Sequence, residues 1–159
     1  MDNKAETSIT LVIVGGVQTA IPLSKLAKAL KYRVIIIEPR SAFADKSRFS
    51  DADQIFQEWP DEAMGQFRVD EFTAVAILTH DPKIDDPGII AALVSAAFYV
   101  GALGSMKTQA KRKERLLAAG LSPHHIIKLM GPIGLDIGAQ TSEEIALSIM
   151  AEIVDASKK

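Results

Sequence analysis

The densest run of chemistry-bearing side chains is Thr79-His80-Asp81-Pro82-Lys83-Ile84-Asp85-Asp86. His80, Asp81 and Asp85 are residue types that ligate a hard or borderline metal or exchange protons near neutral pH. Their spacing matches no standard metal motif, and Asp81-Pro82 reads equally well as a turn. A second candidate is Gly15-Gly16-Val17-Gln18-Thr19-Ala20. Glycines between a strand and a helix let backbone amides approach a phosphate. Set on the G-x-G-x-x-G spacing, Gly15 takes the first place, Val17 the second and Ala20 the third. Val17 puts a side chain where pyrophosphate nears the backbone, so the segment is either an altered nucleotide-type site or a tight turn without a ligand. Glu38 ends the next apolar run, where a carboxylate binds a ribose hydroxyl or is merely a solvated strand end.

Two later segments complete the set. Ser105 stands before a helix that carries Lys107, Lys111 and Arg115 at four-residue spacing, with Arg112 and Lys113 beside them. The helix start suits an anion, with Lys107 nearest to it, whereas the stripe as a whole reads as a solvated face. Gly131-Pro-Ile-Gly134-Leu-Asp136-Ile-Gly138 is glycine-rich and apolar with one carboxylate. Such a loop can turn backbone amides toward an anion or a planar ring, and Asp136 needs a partner if it is buried. The pair His124-His125 reads as surface.

These segments need a scaffold, and the apolar pattern supplies one. Ile9–Val14, Arg33–Glu38, Thr73–Leu78 and Phe98–Leu103 are short β-branched or apolar runs, as expected of parallel strands buried on both faces. A helix starting near Thr19 or Ala20 and reaching Leu30 joins the first two, with Pro22 tolerable in its first turn. Residues 41–53 read as a loop, Asp53–Glu58 as a short edge strand and Pro60–Phe67 as a short helix. Asp86-Pro87 predicts a capped helix start leading into Ile89–Ala97. Ser105 predicts the cap of a helix to Ala119 that Gly120 ends. Ser122-Pro123 opens a short helical turn. Thr141-Ser-Glu-Glu144 is a capping box for a last helix reaching about Val154. Alternating strands and helices predict a three-layer α/β/α, Rossmann-like, doubly wound and mainly parallel sheet, with strand order 3-2-1-4-5. In that topology Gly15-Gly16, Glu38-Pro-Arg40, Thr79-His80-Asp81 and Gly101–Ser105 converge beyond the carboxyl ends of the strands, with 131–138 closing over them.

The 159 residues fit one domain, with 48% hydrophobic and 24% charged residues and a mean hydropathy of +0.15. Eighteen Lys and Arg against 20 Asp and Glu leave a net charge of −2, which gives no general nucleic-acid footprint. The absence of cysteine excludes a disulfide framework, a thiolate-ligated metal and a cysteine nucleophile, and is compatible with the cytoplasm. The start, with Asp2, Lys4 and Glu6, lacks the pattern of a signal peptide. Gly88–Met106 carries no charge but reads as helix then strand rather than as a membrane span.

Glu38-Pro-Arg40, Phe43-Ala44, Arg48-Phe49, Trp59-Pro60, Leu78–Lys83 with Asp85-Asp-Pro87, Tyr99–Ser105, Gly131–Gly138 and Thr141–Ile149 together resemble the C-terminal Rossmann domain of the XdhC/CoxI family. The resemblance runs from about Leu11 to Ile153. It implies an accessory protein for a molybdenum hydroxylase of the xanthine dehydrogenase type, one that binds molybdenum cofactor and assists its sulfuration, maturation or insertion. Family members carry a further N-terminal domain, so the expectation for 1–159 is a single stand-alone Rossmann-like domain. The family's first loop reads more like G-A-G-H than Gly15-Gly16-Val17-Gln18. The cofactor-binding residues expected are Gly15, Gly16, Glu38, Arg40, His80, Asp81, Lys83, Gly101, Ser105, Gly134 and Asp136, without a protein-bound metal. Gly15, Gly16 and Ser105 would cradle phosphate, and His80, Asp81 and Asp136 would meet the pterin or its metal-oxo group. The partners expected are the hydroxylase apoenzyme, a sulfurtransferase or a separate chain supplying the other domain, and a second copy of this chain at an apolar edge beside 88–104. The competing readings are a small NAD(P)- or nucleotide-binding oxidoreductase and a non-catalytic partner with a vestigial pocket.

Overall fold

The computed structural model describes residues 8–159. Six strands form one parallel sheet: β1 (Thr10–Val14), β2 (Arg33–Ile37), β3 (Gln54–Phe56), β4 (Thr73–Ile77), β5 (Tyr99–Ala102) and β6 (Leu129–Met130). Their order is β3-β2-β1-β4-β5-β6. The expected order holds for the first five. The sixth strand is an addition, two residues long, paired in parallel with Val100 and Gly101. It is too short to show any periodicity in sequence.

β1 lies at the centre, in register with β2 through Val14 opposite Ile37 and with β4 through Val14 opposite Ile77. Alternate side chains feed two cores. Leu11 and Ile13 join Val34, Ile36 and Ala76 beneath α1 (Ala20–Ala29) and α6 (Ser142–Ser157), which supply Leu23, Ala27, Ile149 and Ile153. Val12 and Val14 join Ile35, Ile37 and Ile77 on the other face. There they pack on α2 (Pro60–Ala63), α3 (Pro82–Leu93), α4 (Met106–Ala118) and α5 (Pro123–Ile126). Burial on both faces is why the strands read as continuous apolar runs.

Several helix ends follow their local signals. The Ser105 hydroxyl accepts the Thr108 amide, and the Thr141 and Glu144 side chains form the full capping box. α3 departs from expectation. It begins at Pro82 with Asp81 as its cap, the Asp81 carboxylate accepting the Lys83 amide at 3.0 Å. The Asp86-Pro87 signal therefore falls inside the helix. Two Asp-Pro pairs compete, and the first prevails because its aspartate caps while Asp85 satisfies the preceding amides. The loop 41–53 contains two single 3-10 turns, Ser41–Phe43 and Lys46–Arg48. The stretch 88–104 forms α3 and β5 and is mostly buried, with β6 covering the outer side of β5. Among the described residues no helix is long and apolar enough to cross a membrane.

Candidate functional site

The parallel sheet carries its loops to one edge, and there each segment is tied to the next. After β1, the Gly16 amide donates to Glu38 Oε1 at 2.9 Å. Glu38, fully buried, also takes the Arg40 amide, and it receives the Arg40 guanidinium through Nε at 3.0 Å and Nη2 at 2.8 Å. This two-pronged pair raises the Arg40 pKa, chiefly through the hydrogen bond to Glu38. The Arg40 guanidinium stacks on the Phe43 ring at 4.2 Å. The Phe43 carbonyl lies against Gly16 so closely that any Cβ there would collide with it. Arg48 Nη1 donates to the Gly16 carbonyl at 3.1 Å. The chain's own 40–48 segment therefore covers the glycine turn.

Behind it, Gly15 packs on Thr79 at the exit of β4. The buried Asp85 carboxylate organises that exit. It accepts the Thr79 hydroxyl at 2.5 Å, the Thr79 amide at 3.2 Å and the His80 amide at 2.8 Å. These bonds hold His80 in the left-handed region, at φ 68°, where a non-glycine residue is uncommon. The His80 side chain is exposed at the edge. Burial pushes the Asp85 carboxyl pKa up, against the pull of its Thr79 and His80 hydrogen bonds and of Arg112.

The charge spacing of α4 puts Arg112 in a solvated stripe, and the structure corrects this. Arg112 is 2% exposed, its Nη2 3.9 Å from Asp85 Oδ2 and bonded to the Leu103 carbonyl at 3.3 Å. Its Nη1 donates to Gln109 Oε1 at 2.9 Å, and its Nε has no hydrogen-bond partner. Burial draws its pKa down, offset by Asp85 and Asp86. Gln109 in turn donates to the Ala102 and Gly104 carbonyls, both at 3.1 Å. Gln109, Arg112 and Leu116 share one helical face, and that spacing was the available sign that Arg112 points inward. Arg115 stays partly exposed on the stripe and pairs there with Asp86 at 2.7 Å.

The last loop docks on the same scaffold. Ile133 N donates to the Ala102 carbonyl, and Leu135 N to the Ser148 carbonyl. Glu152 Oε1 accepts the Tyr99 hydroxyl at 2.6 Å and the Gly134 amide at 3.0 Å. Gly101 leaves room for this: a Cβ there would lie 2.5 Å from the Tyr99 oxygen and 2.6 Å from Ile133. Burial, then Glu152, pushes the Tyr99 hydroxyl pKa far above the ordinary phenol value.

The expected site residues thus divide. His80, Lys83, Ser105 and Asp136 are exposed, and Arg40 and Asp81 partly so. Asp136 is in solvent, so the question of a buried partner falls away. Gly15, Gly16, Glu38 and Gly101 are buried and engaged by protein groups. Gly134 spends its amide on Glu152. Among the described residues no group of three or more His, Cys, Asp or Glu is placed to hold a metal, and Asp85 is turned inward.

A doubly wound parallel sheet with loops gathered at its carboxyl edge defines a Rossmann-type domain. The XdhC Rossmann domain matches residues 11–153, and the chain belongs to that family. It is 32% identical over 156 residues to a probable xanthine dehydrogenase subunit of Bacillus subtilis strain 168, across 98% of this chain and 45% of the relative. It is 35% identical over 99 residues to the molybdenum cofactor insertion chaperone PaoD of Escherichia coli K12, across 62% of this chain and 30% of that protein. Among solved structures, a xanthine dehydrogenase from Bacillus halodurans superposes with a TM-score of 0.80 at 30% identity, over 95% of this chain and 43% of that one. The chain spans less than half the length of these relatives.

Proposed function

We propose that this chain is an accessory protein for a molybdenum hydroxylase, holding molybdenum cofactor as cargo at the carboxyl edge of its sheet and presenting it to the apoenzyme. The observation that carries the reading is His80. Its ring is exposed, while Asp85 holds the His80 amide and the Thr79 amide and hydroxyl just before it, so the imidazole stands on a fixed backbone at φ 68°. Lys83 and Lys107 follow the carboxyl ends of β4 and β5, and their charge suits a phosphorylated pterin, whereas Arg40 after β2 is already paired with Glu38. The α4 start, with Ser105 before it, adds the positive end of a helix dipole for the phosphate. Asp81 and Asp136 are acceptors for the amino and amide protons of a pterin ring. The relatives' names support the same reading: one is an insertion chaperone for this cofactor, the other belongs to a xanthine dehydrogenase. A sulfurtransferase, or a chain bearing the remainder of the longer relatives, would then act beside it.

The oxidoreductase reading is disfavoured by two contacts. The Glu38 carboxylate, which would bind a ribose, is taken up by Gly16 and Arg40. The space over Gly16 that a pyrophosphate needs holds the Phe43 carbonyl.

The test is a titration of the purified chain with molybdenum cofactor, NAD and GTP in parallel, followed by pterin fluorescence and calorimetric heat. The expected result is one-to-one binding of the cofactor alone, weakened at least about tenfold in His80→Gly, a loss of roughly 1.4 kcal/mol. Absence of cofactor binding at tens of micromolar would overturn the reading and leave a vestigial pocket.

A further inference from the structure

α1 and α6 pack side by side on one face of the sheet, and their outer sides bound an apolar groove of about 600 Å³. Leu26, Leu30, Leu147, Met150 and Val154 line it. Leu147 is 52% exposed and Leu30 46%, large apolar side chains left in water along a helix pair. The inward side of α6 is already used, by Ala146, Ile149, Ile153 and the Glu152 that holds Tyr99. The stripe facing the groove runs Glu143, Leu147, Met150 and Val154 at a spacing of three and four, with Met150 buried at its floor and Lys158 following at the helix cap. The stripe is acidic at its start, apolar in the middle and basic at its end.

We propose that this stripe is a homodimer interface, with α6 of two copies meeting antiparallel across a two-fold axis near Met150 and Ala151. A two-fold contact must be self-complementary, and this one is. About that centre Met150 faces Ala151 of the second copy, Leu147 faces Val154, and Glu143 faces Lys158. Glu143 and Lys158 form no ion pair among the described residues, whereas neighbouring Asp155 is paired with Lys159 at 3.1 Å. Two Glu143–Lys158 pairs therefore close the two ends of the contact. Antiparallel helices also set each α6 start against the other's end, which suits their dipoles. Parallel helices would oppose Glu143 to Glu143 and Lys158 to Lys158, a like-charge arrangement that disfavours that orientation. Met150, 3% exposed, forms the groove floor, small Ala151 permits close approach, and the half-exposed Leu147 of each copy is the knob that enters the other's groove. The face lies on the outer side of the α1–α6 layer. It is separate from the loop edge of the cofactor reading and stands whether or not that reading does.

The test is the oligomeric state of the full chain by sedimentation equilibrium. The wild type is expected to be a dimer at tens of micromolar. Leu147→Glu, an exposed position that leaves the core intact, is expected to weaken the dimer at least about 30-fold, with an unchanged thermal melt showing that the chain still folds. Glu143→Lys and Lys158→Glu are each expected to weaken it about tenfold, and the double exchange to restore it to within about threefold of wild type. A monomeric wild type at 100 micromolar (roughly the weak end of specific association), or a dimer indifferent to Leu147→Glu, would overturn the interface. Failure of the double exchange to restore the dimer would overturn the antiparallel register.

Discussion

The Asp85 carboxylate accepts the backbone amide of His80 at 2.8 Å and leaves the imidazole free. A buried acid on the first turn of α3 thus dictates the conformation of an exposed base five residues earlier. The acid is itself faced by Arg112 from α4, which grips the Leu103 carbonyl and, through Gln109, the Ala102 and Gly104 carbonyls. The two loops most suited to receive a ligand are therefore set by one buried polar chain. Rigid support of this kind is what a binding edge requires if its exposed groups are to meet a ligand without reordering.

Replacing His80 by glycine separates this support from the ring it presents. Glycine tolerates φ 68° without a Cβ penalty but loses more conformational entropy on folding. Each effect is about 1 kcal/mol and the two oppose, so His80→Gly is expected to leave the urea midpoint nearly unchanged. Asp85→Ala strands the Thr79 and His80 donors and leaves Arg112 buried without its counter-charge. It is expected to lower stability by about 3–5 kcal/mol, as broken buried pairs do. Equal losses in the two variants would show that Asp85 does not carry the loop.

The glycine turn gives a second prediction. Gly16→Ala drives a Cβ into the Phe43 carbonyl, a backbone atom that cannot rotate away. The turn Ser41–Phe43 must shift, and with it the Arg40 stack on Phe43. The expected cost is about 2–3 kcal/mol by urea unfolding, at the upper end for overpacking. A cost below about 0.5 kcal/mol would mean that the 40–48 segment does not rest on the glycine turn.

The sequence made the scaffold legible where one local cause suffices. Leu11–Val14 and Ala74–Ile77 read as strands because both of their faces are buried. Ser105 and Thr141 read as caps because capping is a contact between near neighbours. What sequence did not reveal rests on contacts between distant residues. The inward turn of Arg112 depends on Asp85 and Leu103 lying beside its helix, and a charge stripe alone gives the opposite reading. The closure of the Gly15-Gly16 turn comes from a backbone carbonyl of Phe43, which no side-chain motif encodes. The segments of the candidate site were legible from topology, since parallel strands deliver their loops to one edge. Which of their residues are free for a ligand was not, because Glu38 and Gly134 are spent on neighbours.

Two carboxylates give pH effects of opposite sign. The Gln140 and Thr141 amides hold the Glu144 pKa below the usual carboxylate value. Its contribution is present above the unfolded-state pKa and is lost as pH falls through the folded one. Glu144→Gln is expected to flatten the acid limb of the stability curve. Burial raises the Asp85 pKa, so its contribution is complete below the unfolded value, 3.8, and is lost as pH rises through the folded value. Relative to Asp85→Asn, the wild type is therefore expected to lose stability as pH climbs from 3.8 through that raised folded value. Urea unfolding at pH 3, 5 and 7 (roughly bracketing the carboxylate range) checks both signs, and a shared sign would contradict the burial of Asp85.

The last loop depends on one phenol. Tyr99 and Gly134 converge on Glu152 Oε1, so strand β5, helix α6 and the 131–138 loop meet at a single carboxylate oxygen. Tyr99→Phe removes the hydroxyl and keeps the ring in the core it shares with Ile149. Glu152, buried, is then left with the Gly134 amide alone. The expected loss is about 1–3 kcal/mol, the cost of leaving a buried acceptor short of its donor. The more specific readout is local. Gly134 is expected to exchange its amide hydrogen faster in Tyr99→Phe by more than the global loss of stability accounts for, because the loop loses its anchor before the sheet opens. Glu152→Gln supplies the contrast: it keeps an acceptor for both donors and is expected to leave Gly134 exchange close to that of the wild type. If Gly134 exchange follows global stability in every variant, the loop is held by Ile133 and Leu135 alone, and the Tyr99–Glu152 contact serves only the core.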